Sequence, residues 1–182
     1  VLRNQDARLF VEPLRALNIP AVVAQAGSIF HTDEARDLEC LLRAVAAPRR
    51  TELLNAALAT PMLGHTAEQI RRYVEDPDGA AAHEEHLDRF IEYGNQWASR
   101  GFIRMFRSLL SRYRVRENLL SLPGGERRLT NVLHLAELLH EAAVQQHLGP
   151  SGLLGFLARQ RAAPARQEEH ELRLERDEEA VQ

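Results

Sequence analysis

Residues 124–146 read GGERRLTNVLHLAELLHEAAVQQ, and this stretch decides the fold class. From Glu126 to about Gln146 the apolar residues Leu129, Val132, Leu133, Ala136, Leu139 and Ala143 recur at steps of three and four, the period of an α-helix. Leu135 and Leu138 widen the stripe, and a stripe that broad predicts a central helix covered on both sides. Pro123, Gly124 and Gly125 make the break before it, a tight turn into the helix, and Glu126 in the first turn complements the helix dipole.

The same period runs through the preceding sequence. Residues 102–113 form one amphipathic helix whose apolar face is Phe102, Met105, Phe106, Leu109, Leu110 and Tyr113. A longer helix runs from Ala80 to about Arg100 with Leu87, Phe90, Ile91 and Trp97, and Gly101 interrupts it. Asp76, Pro77, Asp78 and Gly79 read as a loop. Before it, Thr66 caps a helix reaching about Glu75, and a short helix carries Leu53, Leu54, Ala57 and Leu58. Thr32 caps a further helix to about Ala46, with Asp33 and Glu34 in its first turn and Leu38, Leu41, Leu42 and Val45 buried; Pro48 ends it. Residues 5–17 have helical spacing, Pro20 breaks that helix, and residues 21–24 are the best candidate strand. Downstream, Leu153 and Leu157 belong to a short helix, and from Arg161 the chain turns charged, as a linker or solvated helix does. The expectation is a mostly α fold with at most short peripheral strands.

Composition bounds the chemistry. The 182 residues suffice for one domain that buries roughly 70% of its unfolded surface without staples. With 45% hydrophobic and 27% charged residues the balance is globular. A net charge of −3 gives no global attraction to nucleic acid, so any basic patch must be local. All 23 basic residues are arginine, which excludes a phosphate-binding loop lysine and Schiff-base chemistry from this chain. The single cysteine, Cys40, allows no internal disulfide, fits a reducing compartment, and reads as a small buried hydrophobe. No apolar run is long enough to span a bilayer and no signal peptide opens the chain, so a cytoplasmic protein is expected. Val1 at one end and the residues up to Gln182 at the other give both ends the look of cuts.

Four segments, in order, carry a resemblance. The first is residues 18–23, Asn-Ile-Pro-Ala-Val-Val, after Arg3-Asn4 and a helix. The second runs from Phe30 to Pro48, and the third is residues 57–64, Ala-Leu-Ala-Thr-Pro-Met-Leu-Gly. The fourth joins residues 117–120, residues 124–131 and residues 133–139. Their order and spacing resemble the 2B region of UvrD-like superfamily 1 helicases, and the fourth resembles RecB-type exodeoxyribonuclease V beta subunits in particular. Residues 172–177 are similar to the stretch before that family's next motor motif.

The resemblance implies a helical accessory domain inserted in a RecA-like motor domain. Residues 1–25 would then be an edge of motor domain 2A, 26–165 the 2B domain, and 166–182 a charged linker back to 2A. It further implies a whole protein that is an ATP- and Mg-dependent 3′→5′ DNA helicase and nuclease processing broken ends for recombination. Its partners would be duplex DNA, held weakly and without sequence preference, and RecC-like and RecD-like subunits. This stretch alone would have no catalytic residue, no cofactor and no activity. The alternative is a free-standing helical protein-interaction module.

Two candidate DNA contacts emerge. In UvrD-like relatives a Gly-Ile-Gly-type turn opens a helix toward duplex phosphates, as N–H groups at a helix start suit an anion. Here Gly64, His65 and Thr66 would fill that role, with Met62 and Leu63 standing where the first glycine and a basic residue are usual. The other reading is a plain capped turn. Arg100, Arg104, Arg107 and Arg114, at steps of four, three and seven, share the face opposite Phe102, Phe106 and Leu109, and their forked guanidiniums match phosphate or carboxylate. The other reading is a solvated or protein-facing surface. No metal site is expected: His83 and His86 are three apart without a third ligand, and His134 and His140 point to different faces.

Overall fold

Thr32 opens the first long helix as its sequence predicts, its hydroxyl accepting from the Ala35 N–H at 3.3 Å. The computed structural model describes residues 29–163. After a 3-10 turn at Ile29–His31 these form α1 (Asp33–Ala46), α2 (Thr51–Leu58), α3 (Ala67–Glu75), α4 (Pro77–Arg100), α5 (Phe102–Arg112), α6 (Val115–Leu120), α7 (Gly125–Gln145) and α8 (Pro150–Ala162). The fold is mostly α, and there is no strand among the described residues. The helix read at 5–17, the strand at 21–24, and the segments 1–25 and 166–182 lie outside them.

Two expectations differ from the structure, and α6 is a helix that no expectation named. The loop expected at residues 76–79 contracts to Asp76: its N–H closes α3 on the Arg72 carbonyl at 3.0 Å, and its own carbonyl accepts from Ala80 at 2.8 Å to open α4. Pro77 therefore sits in the first helical turn, where its missing N–H costs nothing and its fixed φ fits. The second difference is the hub. α1, not α7, is the central helix, packing on α2, α4, α7 and α8, with Leu38, Leu41, Leu42, Ala35 and Ala44 fully buried. α7 buries one arc only: Val132, Leu135, Ala136, Leu139 and Ala142 face the core, while Leu133 is 38% and Val144 59% exposed. At 3.6 residues per turn the buried five lie within roughly 120°, the width of one packing face.

The entry to α7 is close-packed. A Cβ on Gly125 would stand 2.4 Å from the Leu119 carbonyl oxygen and 2.7 Å from the Leu120 Cα, so α6 and α7 meet backbone to backbone and only glycine fits. Among the described residues carboxylates are buried at two places, both on α1. Glu34 accepts from Asn131 of α7 at 3.0 Å and faces Arg128 at 3.4 Å. Glu39 pairs with Arg43 at 2.6 Å and with Arg161 of α8. Cys40 is half-buried at the core's edge rather than inside it, and burial pushes its thiol pKa up.

The two ends of the described body adjoin. His31 Nε2 lies 2.8 Å from the Ala163 carbonyl, and Phe30 meets Phe156 edge to face at 6.2 Å.

Candidate nucleic-acid interface

α5 is amphipathic in an unusual sense for an acidic chain. One face is core: Phe102, Met105, Phe106 and Leu109 are at most 3% exposed. The opposite face carries Arg104, Arg107, Ser108 and Ser111, and α5 holds no acidic residue. Spacings of three, four and seven put these four side chains on one arc. Among the described residues no carboxylate pairs with Arg104 or Arg107, so both guanidiniums are open to a ligand. The two serines extend the polar face. Each stands four residues after an arginine, a spacing legible in the sequence, although a search for charge alone passes over them.

The four arginines do not share one helix. Arg100 is the last residue of α4, and Gly101, at φ +83°, separates it from α5. Arg114 follows the end of α5 in the left-handed region, at φ 51°, and its Nε lies 3.7 Å from a Glu117 carboxylate oxygen. Helical phasing therefore relates Arg104 to Arg107 only, while Arg100 and Arg114 stand exposed at the two flanking breaks.

The turn at residues 64–66 is built tightly. Gly64 holds φ +73°, and its N–H bonds the Thr60 carbonyl at 2.8 Å. Thr66 and Gln69 form a capping box: the threonine hydroxyl accepts from the Gln69 N–H at 3.2 Å, and the Gln69 side chain accepts from the Thr66 N–H at 2.8 Å. Two N–H groups that an anion would use are thus engaged, and Glu68 adds negative charge to the same turn. Behind the turn, Asn118 of α6 donates to the Met62 carbonyl at 2.9 Å and to the Tyr113 carbonyl at 3.0 Å, joining the turn to the end of α5. The turn therefore adjoins the end of α5, a relation no local pattern signals.

Around His65 the structure gathers rings that the sequence scatters. Tyr73 Oη lies 2.7 Å from His65 Nδ1, and His86 Nδ1 lies 2.8 Å from Tyr113 Oη. His83 Nε2 is 2.8 Å from Asn55 Oδ1. Burial lowers the pKa of all three histidines, His86 to about 4. Among the described residues no three His, Cys, Asp or Glu side chains could jointly hold a metal ion, and no helix is long and apolar enough to cross a membrane.

No family model matches the chain. Among curated proteins it is 36% identical, across its whole length, to the RecBCD enzyme subunit RecB of Escherichia coli strain K12. It is 37% identical across its whole length to the RecB subunit of Mycobacterium tuberculosis strain CDC 1551 / Oshkosh. It is 32% identical over 98% of its length to that of Haemophilus influenzae strain Rd. The chain spans 15%, 16% and 14% of those three proteins respectively. The resemblance carried by the four ordered segments therefore extends over the whole chain, which is a RecB-related segment.

Proposed function

We propose that this segment is the 2B-type accessory domain, residues 26–165, of a RecB-like ATP- and Mg-dependent DNA helicase and exonuclease that processes double-strand breaks in the cytoplasm. Residues 1–25 and 166–182 would lead from and back to the motor domain. The adjoining ends at His31 and Ala163 support an insertion, because an inserted domain leaves and rejoins its host at neighbouring points. The chain has no lysine, and no carboxylate cluster among its described residues could hold a metal ion, which supports the reading that the chemistry lies elsewhere in the whole protein. The isolated 182-residue chain is expected to show no ATP hydrolysis above blank, and activity that co-purifies with the chain through successive columns would overturn this boundary.

Its task is to position duplex DNA and to pack on RecC-like and RecD-like subunits. The observation that carries the DNA role is the acid-free α5 face, on which Arg104 and Arg107 pair with no carboxylate among the described residues, flanked by Arg100 and Arg114, with Gly64, His65 and Thr66 in the turn that Asn118 ties to the end of α5. Such contacts grip phosphates and do not read bases. They release counterions, so binding falls steeply with salt, and within the whole enzyme they add affinity through high effective concentration.

Replacing Arg104 and Arg107 by alanine in the complete helicase should weaken duplex-end binding several-fold. It should also flatten the slope of log affinity against log salt by about 1–2, one unit for each phosphate no longer neutralised. ATP hydrolysis on single strands should stay nearly unchanged. Affinity and slope both unmoved would favour the other reading, a protein-interaction module without a nucleic-acid role. The exposed Leu133 and Val144 on one side of α7 are the feature that reading would use.

A further inference from the structure

α3 contains no fully buried residue, packs chiefly on α4, and is joined to it through Asp76 alone. It rests on half-buried Ile70 and Tyr73. Tyr73 is the middle of a chain of four rings. Its hydroxyl lies 2.7 Å from His65 Nδ1, in the turn before α3, and 3.4 Å from His86 Nε2 on α4. His86, 8% exposed, continues to the hydroxyl of Tyr113 after α5. The His65 and His86 rings meet edge-on at 4.8 Å, and His86 stacks on Tyr113 at 5.7 Å.

The protons of this chain can be assigned by requiring every donor to have an acceptor. The buried Tyr113 O–H donates to His86 Nδ1, 2.8 Å away. His86 then carries its proton on Nε2 and donates to the Tyr73 oxygen. The Tyr73 O–H donates to His65 Nδ1, leaving the His65 proton on Nε2. Both imidazoles are neutral in this arrangement. A second proton on His86 would turn Nδ1 from acceptor to donor and leave the Tyr113 O–H without the acceptor it has here. A second proton on His65 would orphan the Tyr73 O–H in the same way.

Among the described residues the ring nitrogens of His65 and His86 are hydrogen-bonded to tyrosine hydroxyls and to no carboxylate. On α4, His83 is turned to Asn55 of α2, and Arg89 is paired with Glu85 at 2.9 Å. α3 presents Tyr73, the turn presents His65, and the end of α5 presents Tyr113 with Tyr93 against its ring. A charge on His86 would meet the like charge of Arg89, and of His65 and His83 were they protonated as well.

We propose that this hydrogen-bonded chain is an acid-releasable clamp: with His65 and His86 neutral it holds α3 and the turn at residues 64–66 onto α4 and α5, and protonation of either ring frees α3 and the turn while the core around α1 stays folded. The clamp stands whether or not the turn meets DNA. Released rings protonate near the ordinary value of 6.5, whereas burial holds docked His86 near 4 and shifts His65 the same way. The docked form is therefore fully favoured above that ordinary value. It loses its advantage as the pH falls through the interval, at about tenfold in the release equilibrium per pH unit for His86.

Amide hydrogen exchange on the 182-residue chain, corrected for the intrinsic pH dependence of exchange, tests this at pH about 7.5 and about 5. Protection of residues 67–75 should fall about tenfold or more at the lower pH while α1 and α7 keep theirs. Tyr73→Phe keeps the ring and removes only the bridging hydroxyl. It should loosen α3 already at the higher pH and shrink the difference between the two. Equal protection of α3 at both pH values in the unaltered chain would overturn the clamp. So would simultaneous loss of protection in α1 and α7, or a Tyr73→Phe response identical to that of the unaltered chain.

Discussion

Phe106→Ala is expected to lower the unfolding free energy by about 3–5 kcal/mol, the range for deleting a large aromatic ring from a packed core. Phe106 is 1% exposed and stacks on Phe102 at 5.4 Å, and Phe102 in turn meets Trp97 at 6.0 Å. The ring is thus the inner end of an aromatic run that fastens α5 to the end of α4. Removing it leaves a void that Phe102 cannot fill without moving off Trp97. A domain of this size holds about 5–15 kcal/mol in total, so the variant would be marginal. Urea unfolding should show a lower midpoint with an unchanged slope. A cost under about 1 kcal/mol would mean that the ring is not packed as described. The variant would also loosen the scaffold of Arg104 and Arg107, so it cannot replace the arginine substitutions as a test of DNA contact.

Glu39→Ala carries the second large effect. Glu39 is 5% exposed and is the shared partner of Arg43 and Arg161, while the Nε of Arg161 is buried without any partner of its own. Deleting the carboxylate leaves the Arg161 guanidinium half-enclosed and uncompensated, at a cost of about 3 kcal/mol. That is the lower end of the usual range, because the side chains of Arg161 and Arg43 keep 28% and 55% of their exposure and can turn partly to water. Replacing Glu39 and Arg161 together by leucine should recover most of the loss, since an apolar contact of similar volume avoids both desolvation penalties. A double-mutant cycle measured by thermal or urea unfolding reads the coupling directly. A Glu39→Ala cost under about 0.5 kcal/mol, or a double variant no better than the single, would show that this pair does not hold α8 to α1.

Several features of the molecule are legible in its residues. Thr32 and Thr66 read as N-caps, and both cap. The core face of α5 is readable residue by residue, and Phe102, Met105, Phe106 and Leu109 are all buried. These features depend on contacts three or four residues apart, which the sequence displays directly. The resemblance to RecB rests on ordered segments, and the whole-length similarity agrees with it.

The candidate sites are legible only as residue types. Spacing puts Arg100, Arg104, Arg107 and Arg114 on one face, but phasing survives only within an unbroken helix, and Gly101 and Arg114 both adopt positive φ. The ring chain joins His65 in a turn, Tyr73 and His86 on two helices and Tyr113 just past a third, and no period links them.

The sequence by itself determined most of the helices, the caps at Thr32 and Thr66, the inward faces of α1 and α5 and the kinship with RecB, because helix formation and capping are local and kinship is written in residue order. Only the tertiary structure decided that α1 rather than α7 is the hub, that Leu133 stays outside, that Asn118 ties the turn to the end of α5, and that Glu39 meets Arg161. A broad apolar stripe states how much surface a helix can bury. Which part of that surface is covered depends on where the other helices come to lie, and such contacts join residues 56 to 122 positions apart, beyond the reach of any local pattern.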